Sequence, residues 1–193
     1  MAEFAFDPVA HRYTLDGKTL PSVTQVLRLV DNFDSIPAAI LENARARGER
    51  LHQAINLFNR DELDWESLDD ETRDGVKAWA RFLDESGAVV IASETPIYHP
   101  TLRYAGTPDV VLEWKRGIAI PDVKGSYTIP RTVGPQTAAY AEAWTHQPYV
   151  RGRAKRYCIH IKGDTYNVVA RNDPSDWAIF QSCLNIYRYM EAA

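Results

Sequence analysis

Apolar residues recur along the chain with two different periods, and the switches between them divide it into elements. Near the start, Ala5-Phe6-Asp7 and His11-Arg12-Tyr13-Thr14-Leu15, with the turn residues Asp16-Gly17, read as a small hairpin within Phe4 to Leu20. Pro21-Ser22 then opens a helix, Ser22 being a good N-cap ahead of Val23 and Val26-Leu27. Ile40, Ala44, Leu51, Ile55 and Leu57-Phe58 give a longer helix from about Pro37 to Phe58. Asp70 is placed to cap a third, in which Val76, Trp79, Ala80, Phe82 and Leu83 repeat with helical period. Strands are expected at Val89 to Tyr98, Pro108 to Trp114 and Gly117 to Lys124. An Ala-rich stretch from about Val133 to Thr145 favours helix. Two more strands, Arg156 to Ile161 and Tyr166 to Ala170, flank Lys162-Gly163-Asp164, and an amphipathic helix closes the chain from about Pro174 to Met190.

Helices, a β-meander, a crossover helix and a returning strand make an α/β domain with a mixed sheet. At 193 residues the chain suits a single domain, large enough to bury a core without staples. The expected division is 1–87 for the hairpin and first helices, 88–171 for the sheet with its crossover helix, and 172–193 for the last helix. No apolar run approaches the roughly 20 residues that span a bilayer. Met1-Ala2-Glu3-Phe4 lacks the basic and apolar regions of a signal peptide, so a cytoplasmic location is expected. Cys158 and Cys183 are too few for a four-cysteine zinc or iron–sulfur site and fit buried free thiols.

The net charge of −4 at first argues against a nucleic-acid partner. Its distribution changes that picture. From Lys115 onward there are 11 Lys and Arg against 6 Asp and Glu, while the earlier residues hold 11 basic and 20 acidic ones. Much of the acid falls between Asp61 and Glu85, on a solvated helix and its leading loop. Local fields at a cleft govern binding more than the total does, so nucleic acid stays admissible.

The chemistry concentrates on one hairpin. Val110-Val111-Leu112-Glu113-Trp114 and Ile118-Ala119-Ile120-Pro121-Asp122-Val123-Lys124 flank Lys115-Arg116-Gly117. With Lys115-Arg116 as the two-residue loop, Trp114 opposes Gly117 and Asp109 opposes Asp122. Directly opposed residues have Cβ atoms roughly 4.5–5.5 Å apart. Two carboxylates that close repel unless positive charge lies between them. Lys124 projects to the face of Asp122 because side chains alternate along a strand. Such a cluster suits a hard divalent cation with oxygen ligands. The same residues also read as a surface hairpin with solvated charged ends, and a one-residue slip in the turn would move one Asp to the other face.

Other residues extend the pattern. Gly48, inside the long helix, costs up to ~1 kcal/mol relative to Ala and so suggests close approach by another backbone or a ligand. His52 lies one turn further on the same side, either as a metal ligand or as a hydrogen-bonded histidine at a helix–sheet contact. Gln136 and Tyr140, four apart, share a face of the crossover helix, where an aromatic is also ordinary core. Glu94 comes from the strand before the hairpin.

In order, Gly48-x-x-x-His52, Glu94, Gly106-x-Pro-Asp109, Asp122-x-Lys124 and Gln136-x-x-x-Tyr140 resemble the motif series of the PD-(D/E)XK nucleases. The similarity is greatest to the RecB-like branch with its phage-type exonucleases, and Leu20-Pro21-Ser22-Val23-Thr24 is similar to the start of small exonucleases in that group. It covers about residues 11 to 145. The resemblance implies a restriction-endonuclease-like core and hydrolysis of DNA phosphodiesters to leave 5′-phosphate and 3′-hydroxyl ends, in phage or bacterial recombination and repair. It implies one or two Mg²⁺ or Mn²⁺ ions held by Asp109, Asp122, the Val123 carbonyl, His52 and Glu94, while the two cysteines argue against an iron–sulfur cluster. An imidazole ligand suits Mn²⁺ better than Mg²⁺. Lys124 would activate the attacking water, with Gln136 and Tyr140 supporting it. The implied partners are DNA and a single-strand annealing or recombination protein. Ser22, Thr24, Arg45, Arg47, Arg50, Arg131 and the basic run Arg151, Arg153, Lys155 and Arg156 are the residues from which DNA contacts would come, or else solvated surface charges. An endonuclease of the same fold and a catalytically inactive DNA-binding or interaction module are the alternatives. A helicase is excluded by the lack of a Gly-x-x-x-x-Gly-Lys-[Ser/Thr] phosphate loop.

Overall fold

The computed structural model describes residues 3–31, 37–147, 150 and 152–192; Met1-Ala2 of the N-terminal reading and Arg151 of the basic run lie outside them. The first strands are Phe4–Asp7 (β1), Arg12–Leu15 (β2) and Lys18–Leu20 (β3), paired antiparallel in chain order. The expected hairpin is therefore a three-stranded meander. Asp16 and Gly17 both have positive φ, 51° and 72°, as a two-residue primed turn requires. The third strand, at three residues, is too short to leave a readable alternation. Ser22 caps α1 (Val23–Leu27) through a capping box with Gln25.

The long helix α2 spans Ala38–Asn59 and α3 spans Asp70–Ser86. The cap of α3 is Asp69, one residue before the expected Asp70; its carboxylate accepts from the Thr72 N–H at 2.7 Å. Next come β4 (Val89–Ser93), β5 (Ile97–His99), β6 (Tyr104–Gly106), β7 (Val110–Glu113) and β8 (Ile118–Lys124). The helix α4 (Val133–Thr145), β9 (Lys155–Lys162), β10 (Thr165–Ala170) and α5 (Ser175–Glu191) complete the described chain.

The principal sheet has the order β10-β9-β8-β7-β4. Its neighbours are antiparallel except β8 and β9, the parallel pair that α4 connects. Leu112 faces Ala119 and Glu113 faces Ile118, the register expected from a Lys115-Arg116 loop. Both loop residues adopt positive φ, 51° and 59°, although neither is glycine. The expected strand from Val89 to Tyr98 is two strands in different sheets. After a bulge between Val90 and Ala92, the chain breaks at Glu94, whose φ is 47°, and Thr95-Pro96 lead into β5, which pairs with β6. Tyr104–Gly106 was not expected as a strand, since three residues carry no period.

Each face of the sheet carries its own core. On one, Leu51 and Ile55 of α2 and Val76, Trp79 and Phe82 of α3 pack on Val110, Leu112, Ala119, Val123 and Ile159. On the other, Val23 and Val26 of α1, Tyr140 of α4 and Phe180 of α5 pack on Val111 and Ile120. Strand alternation thus sends Ile120, Asp122 and Lys124 to the α4 face and Ala119 and Val123 to the α2–α3 face. No helix of the described residues is long and apolar enough to cross a membrane.

Candidate metal centre

The two hairpin strands part company beyond Leu112 and Ala119, and the sequence supplies the reason. Val123 turns its N–H toward Asp109, on the β7 side. Donors alternate along a strand, so Pro121 presents the same edge and has no N–H to give. In place of a ladder bond, the Val123 N–H donates to Asp109 Oδ2 at 2.7 Å. The Val123 carbonyl shares that edge and opens onto the same gap.

Asp109 is held from three directions. Its Oδ1 lies 3.3 Å from His52 Nδ1, its backbone carbonyl accepts from the Glu94 N–H at 3.1 Å, and Ser93 Oγ approaches that carbonyl at 3.4 Å. Ser93 in turn accepts from Asn59 Nδ2, and Asn59 Oδ1 accepts from Trp79 Nε1 at 2.8 Å. The left-handed Glu94 turn brings a second carboxylate over the end of the sheet. Donor atoms of His52, Glu94 and Asp109 lie within 4.8 Å of one another, a spacing one cation can bridge.

Asp122 and Lys124 form a second, interior pair. Asp122, its side chain 1% exposed, accepts from Lys124 Nζ at 2.9 Å through Oδ1, and its Oδ2 lies 2.8 Å from the same ammonium. That Oδ2 is buried without an aligned hydrogen bond. The sequence joined Asp109 with Asp122 as the primary pair. In the fold, Asp109 instead groups with His52 and Glu94, while Asp122 turns to Lys124.

The electrostatics follow from this packing. Burial, then the charge of Asp109, pushes the Glu94 carboxyl up to about 7, against the pull of His52. Burial works to lower His52, but the Asp109 charge and hydrogen bond outweigh it and raise the imidazole. Asp109 resists the effect of burial because His52 and Lys124 hold it below the usual carboxylate range. Burial raises Asp122 in spite of Lys124, while Lys124 is raised by Asp122 and Asp109 in spite of its own burial. A carboxyl as high as Glu94 marks a spot short of positive charge, which a bound cation would supply.

Helix placement fixes the remaining side chains. Leu51, the neighbour of His52, seats against the chain just past Lys124; a Cβ on Gly125 would come within 2.7 Å of its Cδ2. Gly106 performs the same service for Tyr140, whose Cε1 would stand 2.6 Å from a Cβ there. Tyr140 is buried, and burial and the Asp109 charge raise its phenol, opposed by the Gln136 side chain. Gly48, in contrast, has open space where a side chain would stand, so no backbone of the described chain approaches it.

The expected DNA-contact residues separate on inspection. Ser22 is a correction: it is 2% exposed, and its hydroxyl accepts from the Gln25 N–H as the α1 cap. Thr24 is exposed beside it. Arg47 and Arg50 turn to α3, pairing with Glu71 and Asp69, whereas Arg45 stays on the helical face of His52 near Glu42. Arg156 is structural: it binds Asp176 at 2.8 Å and the Gly134 and Asp173 carbonyls. Lys155 donates to the Lys115 carbonyl, while Arg131 and Arg153 are exposed.

Three neighbours of the site were missed from sequence. Tyr13 of β2 reaches Thr107 Oγ1 at 2.8 Å, tying the N-terminal sheet to the Asp109 loop. Cys158 and His160 of β9 face Asp122 and Lys124 in the parallel register, and burial pushes the Cys158 thiol up to about 12. Nothing local announces a parallel register between strands 30 residues apart. The only available signal was the position of Thr107 within Gly106-x-Pro-Asp109. No protein-family model matches the chain, and no curated protein is significantly similar to it.

Proposed function

We propose that this protein is a metal-dependent DNA nuclease with a PD-(D/E)XK-type, restriction-endonuclease-like core, of the RecB-like or phage exonuclease kind. One observation carries the reading: His52, Glu94 and Asp109, from three separated segments, converge at the sheet end that also holds the Asp122–Lys124 pair. A purely structural role would not account for five ionisable groups of mixed sign kept partly or wholly from water beside strands that have parted. Mg²⁺ or Mn²⁺ would be held by His52, Glu94 and Asp109, with the Val123 carbonyl and Asp122 nearby. Bound there, the cation would lower the pKa of a coordinated water from ~15.7 toward neutrality and so supply hydroxide. Lys124, kept protonated by Asp122, sets a positive charge where charge grows on the phosphoryl oxygens. Tyr140 and Gln136 close the α4 side. Exonuclease action leaving 5′-phosphates, work in recombination with an annealing protein, and a cytoplasmic setting belong to the same proposal.

The test uses end-labelled linear and covalently closed circular DNA, single and double stranded, with Mn²⁺, Mg²⁺ or chelator. Cleavage of linear DNA is expected with either ion and none with chelator. Asp109→Asn and Asp122→Asn should lose activity by at least a hundredfold while keeping the wild-type circular dichroism spectrum. Cutting of the closed circle would make the enzyme an endonuclease. Absence of hydrolysis with both ions, or full activity in both variants, overturns the reading.

A further inference from the structure

We propose that the loop 125–131 is a base-stacking platform on which Tyr127 receives an unpaired base of single-stranded DNA beside the bond to be cut. The inference rests on the nuclease reading for its substrate, and on separate observations for its place.

Tyr127 is 91% exposed, in the segment that joins β8 to α4. Single exposed apolar residues are common on protein surfaces and need no explanation by themselves. The setting of this one is different. The loop is pinned on both sides of the ring rather than left free. The Ser126 carbonyl accepts from His160 Nε2 at 2.6 Å, and His160, 7% exposed, projects from β9 opposite Lys124. Ser126 Oγ donates to the Thr128 carbonyl at 2.6 Å, tightening the turn about Tyr127. On its inner side Gly125 lies against Leu51. An aromatic ring is thus held out into solvent by a fixed frame, so that little conformational freedom remains to be lost on binding.

Charge completes the platform. Lys162 Nζ stands 5.6 Å from the Tyr127 ring centroid, close enough for a cation–π contact that also orients the ring. Arg131 is exposed at the far end of the loop. From Gly125 to Thr132 the segment has no acidic residue. Tyr127 follows Lys124 by three positions, so their Cα atoms are at most ~11 Å apart by chain reach. A strand whose phosphate meets Lys124 would carry its neighbouring base to the Tyr127 ring, with Lys162 near its backbone. Every base has a π-face, so this contact is tolerant of sequence, and it demands that the base be out of the duplex stack. The expected preference is for single-stranded or frayed ends.

The experiment measures binding without hydrolysis. A fluorescently end-labelled single-stranded oligonucleotide is titrated with full-length protein in chelator, and anisotropy is read for wild type, Tyr127→Ala and Tyr127→Phe. Tyr127→Ala should bind about five- to 150-fold more weakly, the range for one stacked base, and Tyr127→Phe within about twofold of wild type. On an oligonucleotide whose bases are replaced by abasic sites, the wild type and Tyr127→Ala should bind alike. Equal affinity of wild type and Tyr127→Ala for the intact strand, an equal loss on the abasic strand, or no binding of wild type to either overturns the platform. The same three proteins are then assayed for cleavage with Mn²⁺. Wild-type cleavage with no effect of Tyr127→Ala on binding removes the platform and leaves the nuclease reading standing. A Tyr127-dependent affinity in a protein that cleaves nothing removes the nuclease reading and leaves a single-strand binding site.

Discussion

Lys124 and Asp122 show how one residue's role depends on a single partner. Asp122 is enclosed, and its two oxygens both lie within 3 Å of the Lys124 ammonium. A charge buried that deeply is tolerable only while it is paired. Lys124→Ala is therefore expected to lower stability by about 3–5 kcal/mol at pH 7.5, measured by urea unfolding. The deficit should shrink toward pH 5. Asp122, already raised by burial and now freed of Lys124, takes up a proton in the folded variant at a higher pH than in the unfolded chain. A double variant, Asp122→Asn with Lys124→Met, should recover most of the loss, because it leaves no bare charge. A deficit that stays constant with pH would mean that lost packing, not an unpaired carboxylate, is responsible. These residues were legible in the sequence as types and spacings. Their pairing was not, since strand alternation placed Lys124 on the correct face without saying whether it would reach Asp122 or Asp109.

At the scale of the element, the β7–β8 hairpin carries its own conflict. Its register follows from a two-residue loop, yet that loop is Lys115-Arg116, with both residues in the left-handed region. Such conformations cost ~1–2 kcal/mol for a residue with a Cβ. Lys115 recovers part of this by lying 4.1 Å from the Trp114 ring centroid. Arg116 is exposed, with φ of 59°. Arg116→Gly is expected to raise unfolding stability by about 1 kcal/mol, with the gain read as a higher midpoint at unchanged slope in urea. A loss of stability would show that the Arg116 side chain makes a contact worth more than the strain. Pro121 is the complementary device: it silences one ladder bond and lets the strands open where Asp109 and Asp122 sit. The periodicity of β8 gave no hint of that opening, because an isolated strand pattern does not say which edge each N–H faces.

At the scale of the whole molecule, acid sensitivity centres on a buried histidine outside the His52–Glu94–Asp109 group. His99 is 5% exposed, its Nδ1 accepts from the Leu102 N–H at 3.1 Å, and its ring lies 4.3 Å from that of His146. Burial, then the His146 charge, lowers it from 6.5 to about 4. The unfolded chain thus takes up a proton below pH 6.5 that the folded chain refuses until about pH 4. Stability is full above pH 6.5 and falls as the pH is lowered through that window, by on the order of 3 kcal/mol from this group. His99→Gln should flatten the fall between pH 7 and pH 4.5 in urea unfolding. Parallel curves for variant and wild type would assign the acid sensitivity elsewhere. His99 had no motif to draw attention to it. It matters because β5, β6, α4 and α5 close over it, with Tyr104 and Trp177 as neighbours.

Local physics determined much of this protein in advance. Hydrophobic period and alanine content set helices α2, α4 and α5 nearly to their ends, the loop length set the β7–β8 register, and alternation set the face of Asp122 and Lys124. These are short-range rules, in which each residue is constrained by neighbours a few positions away. The tertiary structure alone decided the rest. It broke the strand at Glu94 and swung that carboxylate to His52 and Asp109. It turned Arg47, Arg50 and Arg156 into internal ties, and it brought His160 of β9 under the Tyr127 loop. Each of these depends on contacts between segments distant in the chain, whose closure is governed by packing and desolvation that no window of sequence contains.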